Sequence, residues 1–149
     1  MTCGWTSRVL RAALLLPLAA GPLAAQVRHE AGVTLVALAG HPGFAGGGAT
    51  LAFRPTERLR VAGTALAGAR DAAVVRGELA AHFLLDPART RGPALYAGGG
   101  LAAESGPAGQ AWLLAVVGLE GAPGARRGWV VEVGVGGGVR VAVGWRWRG

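Results

Sequence analysis

The chain has 149 residues, enough for about one domain. Hydrophobic residues make up 52% and charged residues 15%, with a mean hydropathy of +0.40, against roughly a quarter charged in an ordinary soluble domain, so disorder and a coiled coil are both excluded. The 27 glycines and 8 prolines argue against helical bundles, because an interior glycine costs about 1 kcal/mol relative to alanine and a proline about 3. All 15 basic residues are arginine, while lysine, asparagine and isoleucine are absent. These arginines are scattered and sit mostly in turns, without the clustering and interleaved aromatics of a nucleic-acid interface, so the net charge of +7 is not read as one.

Residues 1–25 open with Arg8 and Arg11, continue in an apolar stretch from Ala12 to Ala20 and end in Gly21-Pro22-Leu23-Ala24-Ala25, the layout of a secretory signal peptide cleaved before Gln26. The apolar run is shorter than the roughly 20 residues of a spanning helix and is interrupted by Pro17, Gly21 and Pro22. Cys3, the single cysteine, leaves with this segment, so residues 26–149 are expected to fold without a disulfide.

Turn signals cut residues 26–149 into eight segments: 28–40, 44–54, 59–68, 73–85, 94–103, 111–120, 128–136 and 138–148. Each connection is short enough for a hairpin and none has room for a crossover helix, so antiparallel pairing of sequential strands is expected throughout. Segment two sets Ala49, Leu51 and Phe53 against Gly48, Thr50 and Ala52. Segment four sets Val75, Leu79, Phe83 and Leu85 against Arg76, Glu78, Ala80 and His82. The last two segments alternate most clearly, with Trp129, Val131, Val133 and Val135 opposite Glu132 and Gly134, then Val139, Val141, Val143, Trp145 and Trp147 opposite Arg140, Ala142, Gly144 and Arg146. A period of two means strand. Segments three and five, rich in alanine and glycine, and segment six, apolar on both faces, are assigned as strands by position.

Composition decides which face meets water. Most charges after residue 25 fall in or beside connections, leaving too few on each strand for a water-facing exterior. Glycine, alanine and a few charges of both signs suit the narrow lumen of an eight-stranded barrel, whereas valine, leucine, phenylalanine and tryptophan suit hydrocarbon. The expected lumen polar network is Arg76, Glu78, His82, Glu120, Glu132, Arg140 and Arg146, with Glu132 and Arg140 pairing across the last hairpin. If the mature N-terminus is periplasmic, Phe53, Phe83, Tyr96, Trp129, Trp145 and Trp147 lie at inner strand ends as an aromatic girdle, and only Phe44 and Trp112 lie at outer ends.

The strand count, the alternation, the leader and the final Val-x-Val-x-Val-x-Trp-x-Trp strand together resemble the small eight-stranded outer-membrane β-barrels of the OmpA and OmpX type, over essentially the whole of 26–149. The resemblance implies an all-β, antiparallel up-and-down transmembrane barrel in contact with outer-membrane lipid, monomeric. Its last strand, through Val139, Val141, Val143, Trp145 and Trp147, would be read by the outer-membrane assembly machinery. Two features depart from that class: Arg148-Gly149 follow the last aromatic residue, and Asp86–Pro93 and Gly121–Arg127 would be inner turns as long as any outer loop.

No catalytic, metal or cofactor constellation emerges, and a non-enzymatic role in envelope structure, surface interaction or minor small-solute passage is expected. Ser105 has Glu104 beside it, but His82 belongs at the opposite end of the barrel, and His29 and His41 read as solvated. The competing interpretation is a soluble secreted or periplasmic barrel with its valine and tryptophan faces turned inward around a small apolar ligand.

Overall fold

The computed structural model describes residues 28–105 and 109–149; the segment assigned as a signal peptide lies outside the described residues. Eight strands follow one another: β1 (Arg28–Ala39), β2 (Phe44–Arg54), β3 (Leu59–Arg70), β4 (Ala72–Leu84), β5 (Pro93–Glu104), β6 (Gln110–Gly121), β7 (Arg127–Val135) and β8 (Val139–Arg148). Each pairs antiparallel with the next, and β8 returns to β1 from Glu30↔Arg148 to Ala39↔Val139, closing the barrel. The strands extend into segments that the sequence reading left as connections. Asp71 alone joins β3 to β4, in a left-handed conformation (φ 60) that aspartate tolerates better than most residues.

Side chains alternate strictly across the wall. Leu35, Leu51, Leu79, Leu101 and Leu113 point outward at 58–80% exposure, and Val131, Val133 and Val135 of β7 and Val139, Val141 and Val143 of β8 point the same way, while Val130 faces in. The opposite faces carry glycine, alanine, threonine and nearly all the charges of the strands. Segment six, apolar on both sides in sequence, belongs to this pattern: Leu113, Val117 and Leu119 face out while Leu114 and Val116 fill the lumen.

The lumen is a core rather than a pore. Near the short-turn end Val36, Leu38, Phe44, Leu66 and Ala142 pack together, with Val74 against them. The Phe44 ring lies over Gly46 and Gly68, where an added Cβ would come within 2.6 Å and 2.8 Å of it. Such ring-over-glycine contacts let a bulky side chain lie flat against a tightly coiled wall. The two ends differ in charge: Arg28, Arg58, Arg89, Arg91, Arg126 and Arg127 are exposed, together with the acids Glu57 and Asp86, at the end that carries the described chain termini, whereas at the short-turn end the exposed charge among the described residues is Asp71.

Candidate functional site: the lumen and its mouth

The two-residue period puts every charged lumen side chain on the inner face, and closure of the barrel brings them within reach of one another. Arg76, Glu78, His82, Glu120, Glu132, Arg140 and Arg146 are all buried there. At the short-turn end, Arg70 and Arg76 share Glu104, with Nε–Oε2 and Nη1–Oε1 separations of 3.1 and 2.8 Å. Arg70 also donates to the Pro42 carbonyl, and both guanidinium groups lie over the Trp112 ring. Arg76 Nε then meets Glu78 at 2.8 Å, and Arg140 bridges Glu78 at 2.9 Å and Glu132 at 2.7 Å. Glu132 and Arg140 are diagonal neighbours, since Glu132 opposes Ala142 and Gly134 opposes Arg140.

From Glu132 the chain of ion pairs continues toward the other end. Arg146 reaches Glu132 at 3.4 Å and Glu120 at 3.5 Å, and Glu120 also holds Arg60 at 2.6 Å and Arg148 at 3.3 Å. Arg54 binds Glu30 at 2.5 Å and approaches Glu120 at 3.6 Å. Cations and carboxylates alternate along the whole lumen. Each buried charge has a counter-charge, which burial requires because an unpaired ion in low dielectric costs several kcal/mol.

Tyr96 corrects the expected girdle. It is fully buried, donates its hydroxyl to Glu132 Oε1 at 2.5 Å, lies under the Arg60 guanidinium at 4.7 Å and meets the His82 ring edge-on at 5.3 Å. The cause is parity: Tyr96 shares its strand face with Gly98 and Gly100, so its depth along β5 does not make it a boundary residue. Phe44 and Trp112, placed by the same depth argument at the outer boundary, also turn inward. Phe53, Phe83, Trp129, Trp145 and Trp147 do face outward, at 40–51% exposure, near the end that carries the strand termini.

Glu30, Arg54, Arg60 and Arg148 are lumen residues that the sequence reading did not single out. Each could have been found by carrying strand parity to the strand end, since Arg54 continues Thr50 and Ala52, and Arg60 precedes Ala62 and Thr64. At mid-height Thr34, Thr50 and Thr64 form a hydroxyl row, with Oγ1 atoms 3.1 and 2.9 Å apart. Beside it lies a cavity of about 20 Å³, bounded by these threonines, Glu78, His82, Glu132, Arg140 and Leu114. Ser105 is far from His82; its hydroxyl bonds the Val75 backbone N–H and carbonyl and closes the top of β4 against β5. Among the described residues no helix is long and apolar enough to cross a membrane, which leaves crossing by strands untouched. No group of three or more metal-ligating side chains is present among them either.

Beyond the lumen, the β6–β7 turn folds over the end of the barrel. Its Gly124 and Ala122 amides donate to the Arg89 and Gly92 carbonyls, and Arg148 Nη1 donates to the Ala125 carbonyl at 3.0 Å. A mouth of about 370 Å³ remains between this turn, the start of β1 and the ends of β2 and β8.

No protein-family model matches the chain, and no curated protein matches it in sequence. Solved structures match in shape. The N-terminal β-barrel domain of Pseudomonas aeruginosa OprF aligns with a TM-score of 0.60 at 13% identity, covering 80% of this chain and 97% of that one. Neisserial surface protein A, NspA, aligns with a TM-score of 0.57 at 12% identity, over 81% and 96%. At these identities the likeness is one of architecture, and the chain has the fold of the small eight-stranded outer-membrane β-barrels of the OmpA and OmpX type.

Proposed function

We propose that this chain is an integral outer-membrane protein with a structural role in the envelope and no enzymatic step. The observation that carries this reading is the inside-out distribution of polarity: leucine, valine, phenylalanine and tryptophan outside, an ionic network inside. Strands of 9–13 residues, at about 3.3 Å per residue and a tilt of about 40°, rise roughly 23 to 33 Å, which suits the apolar band of about 25 Å in such barrels. The alternative of a soluble barrel around an apolar ligand is disfavoured because the apolar faces point outward. Solute passage is disfavoured as well, because the cavity of about 20 Å³ holds about one water molecule. Turns of one to a few residues at the short-turn end offer little surface to an extracellular partner.

The protein is read as a monomer, since closure of β8 on β1 leaves no strand edge to pair with another chain. In this reading Val139, Val141, Val143, Trp145 and Trp147 line the outer face of the strand recognised during assembly, and export depends on residues 1–25. Membrane flotation combined with gel mobility tests the proposal. The protein should float with outer membranes and, when refolded in detergent, migrate differently in SDS before and after heating. A monodisperse folded protein in buffer without detergent or lipid overturns it.

A further inference from the structure

We propose that the mouth beside the β6–β7 turn is a binding site for a phosphate group. It is lined by Arg28, Arg54, Arg126 and Arg148, with Glu30 as the one acidic side chain among the lining residues, a side-chain excess of three positive charges beside the carboxylate of Gly149. Glu30 is already committed, since its Oε1 accepts from Arg54 Nε at 2.5 Å and lies 3.7 Å from Arg148 Nε, while its Oε2 lies 3.7 Å from Arg60. Arg28 and Arg126 are exposed and meet no acid among the described residues. Guanidinium groups converging on one concavity suit the bidentate, charge-assisted hydrogen bonding that phosphate oxygens accept.

Arg54 is only 4% exposed, and its Nη2 makes no hydrogen bond, with Glu120 Oε1 3.6 Å away; Arg148 Nε is likewise buried without a bond. Glu30 Oε2 and Glu120 Oε1 are also buried without a hydrogen bond, so these donors face carboxylate oxygens of the network, and the groups free to meet a ligand in the mouth are the exposed Arg28 and Arg126. The enclosure is built: Pro123 is buried beneath it, and Arg148 is anchored to the Ala125 carbonyl. The phosphate belongs either to a soluble ester or to a lipid headgroup at the membrane boundary, and the recognising chemistry is the same.

The inference needs the closed barrel and not its membrane setting. Full-length protein is refolded in a zwitterionic detergent, its closure verified by heat-dependent mobility in SDS, and titrated with inorganic pyrophosphate by calorimetry. One-site saturable binding is expected, weakened about tenfold or more by Arg126→Gln or by Arg28→Gln. It should be unchanged by Arg127→Gln, which alters the adjacent exposed arginine outside the mouth. Glycerol phosphate is then compared with a short-chain phosphatidylglycerol in the same detergent; tighter binding of the lipid assigns a headgroup and equal binding assigns a soluble phosphate. Absence of saturable binding in a folded preparation overturns the proposal, and so does an equal loss in Arg126→Gln and Arg127→Gln, which would mean diffuse surface charge.

Discussion

Glu132 on β7 accepts a 2.7 Å hydrogen bond from Arg140 on β8 through one carboxylate oxygen and accepts from the Tyr96 hydroxyl and from Arg146 through the other. It is therefore the joint between the two halves of the lumen network, with Arg140, Glu78 and Arg76 above it and Arg146, Glu120 and Arg60 below. Glu132→Gln keeps the shape but leaves two buried guanidinium groups short of a counter-charge, so it should destabilise the barrel by about 3–5 kcal/mol. The shift of the urea unfolding midpoint in detergent measures this. With Arg140→Gln already present, the same change should cost less by about 1 kcal/mol or more, and strict additivity would mean that the two residues are not coupled.

Tyr96 gives a second test, which separates its lumen position from a boundary position. Tyr96→Phe removes the donor to Glu132 and should cost about 1–3 kcal/mol through the unsatisfied partner, whereas a ring at the lipid boundary would lose little. Gly118 opposes Tyr96 on β6, and a Cβ there would run into the ring. Gly118→Ala should therefore destabilise by about 1–3 kcal/mol of overpacking, despite the usual preference of strands for residues other than glycine. Equilibrium unfolding of both variants, with a neutral result for either, would contradict the placement of the ring.

Much of this wall was legible because alternation is a local property. Trp129, Val131, Val133 and Val135 announce one face of β7 without reference to any other strand, and the number of turns gives the number of strands. The aromatic residues were harder. Tyr96, Phe44 and Trp112 were assigned by depth along their strands, and parity overrides depth: Tyr96 keeps company with Gly98, and Phe44 with Gly46. Glu30, Arg54, Arg60 and Arg148 lie at strand ends, where a charge beside a turn looks solvated until the mouth is seen to be roofed by the β6–β7 turn. Which guanidinium meets which carboxylate was mostly out of reach. Arg140 and Glu78 come from β8 and β4, 62 residues apart, and meet only because the barrel closes with one particular stagger. Glu132 and Arg140 were the exception, being neighbours across one hairpin.

The outward leucines predict a response that depends on depth. Leu79 is 58% exposed midway along β4, beside Gly63 and Leu101, while Leu95 lies near the start of β5. In lipid vesicles Leu79→Arg should cost about 2–4 kcal/mol and Leu95→Arg about 0–1 kcal/mol, because a charge is most costly at the bilayer midplane. A barrel in water would tolerate both equally. Folding titrations in vesicles of fixed thickness therefore test the membrane reading independently of localisation.

Conduction is opposed by two groups of side chains that share one stretch of the lumen, since Leu38 pairs with Arg140, and Ala142 with both Val36 and Glu132. The first is the ionic chain across the middle of the lumen, where Arg140 joins Glu78 to Glu132 and the free space is about 20 Å³. The second is the apolar cluster of Val36, Leu38, Phe44 and Leu66 near the short turns, which offers no polar partner to a hydrated ion. Protein refolded into a planar bilayer should give no resolved single-channel steps. Phe44→Ala should remain silent, because it opens the apolar barrier and leaves the ionic one intact, although it should lower stability by about 3–5 kcal/mol. Steady conductance in the unmodified protein would mean that the lumen side chains rearrange to admit water. Conductance appearing only with Phe44→Ala would mean that the ionic chain does not block the lumen and that the apolar cluster alone seals it.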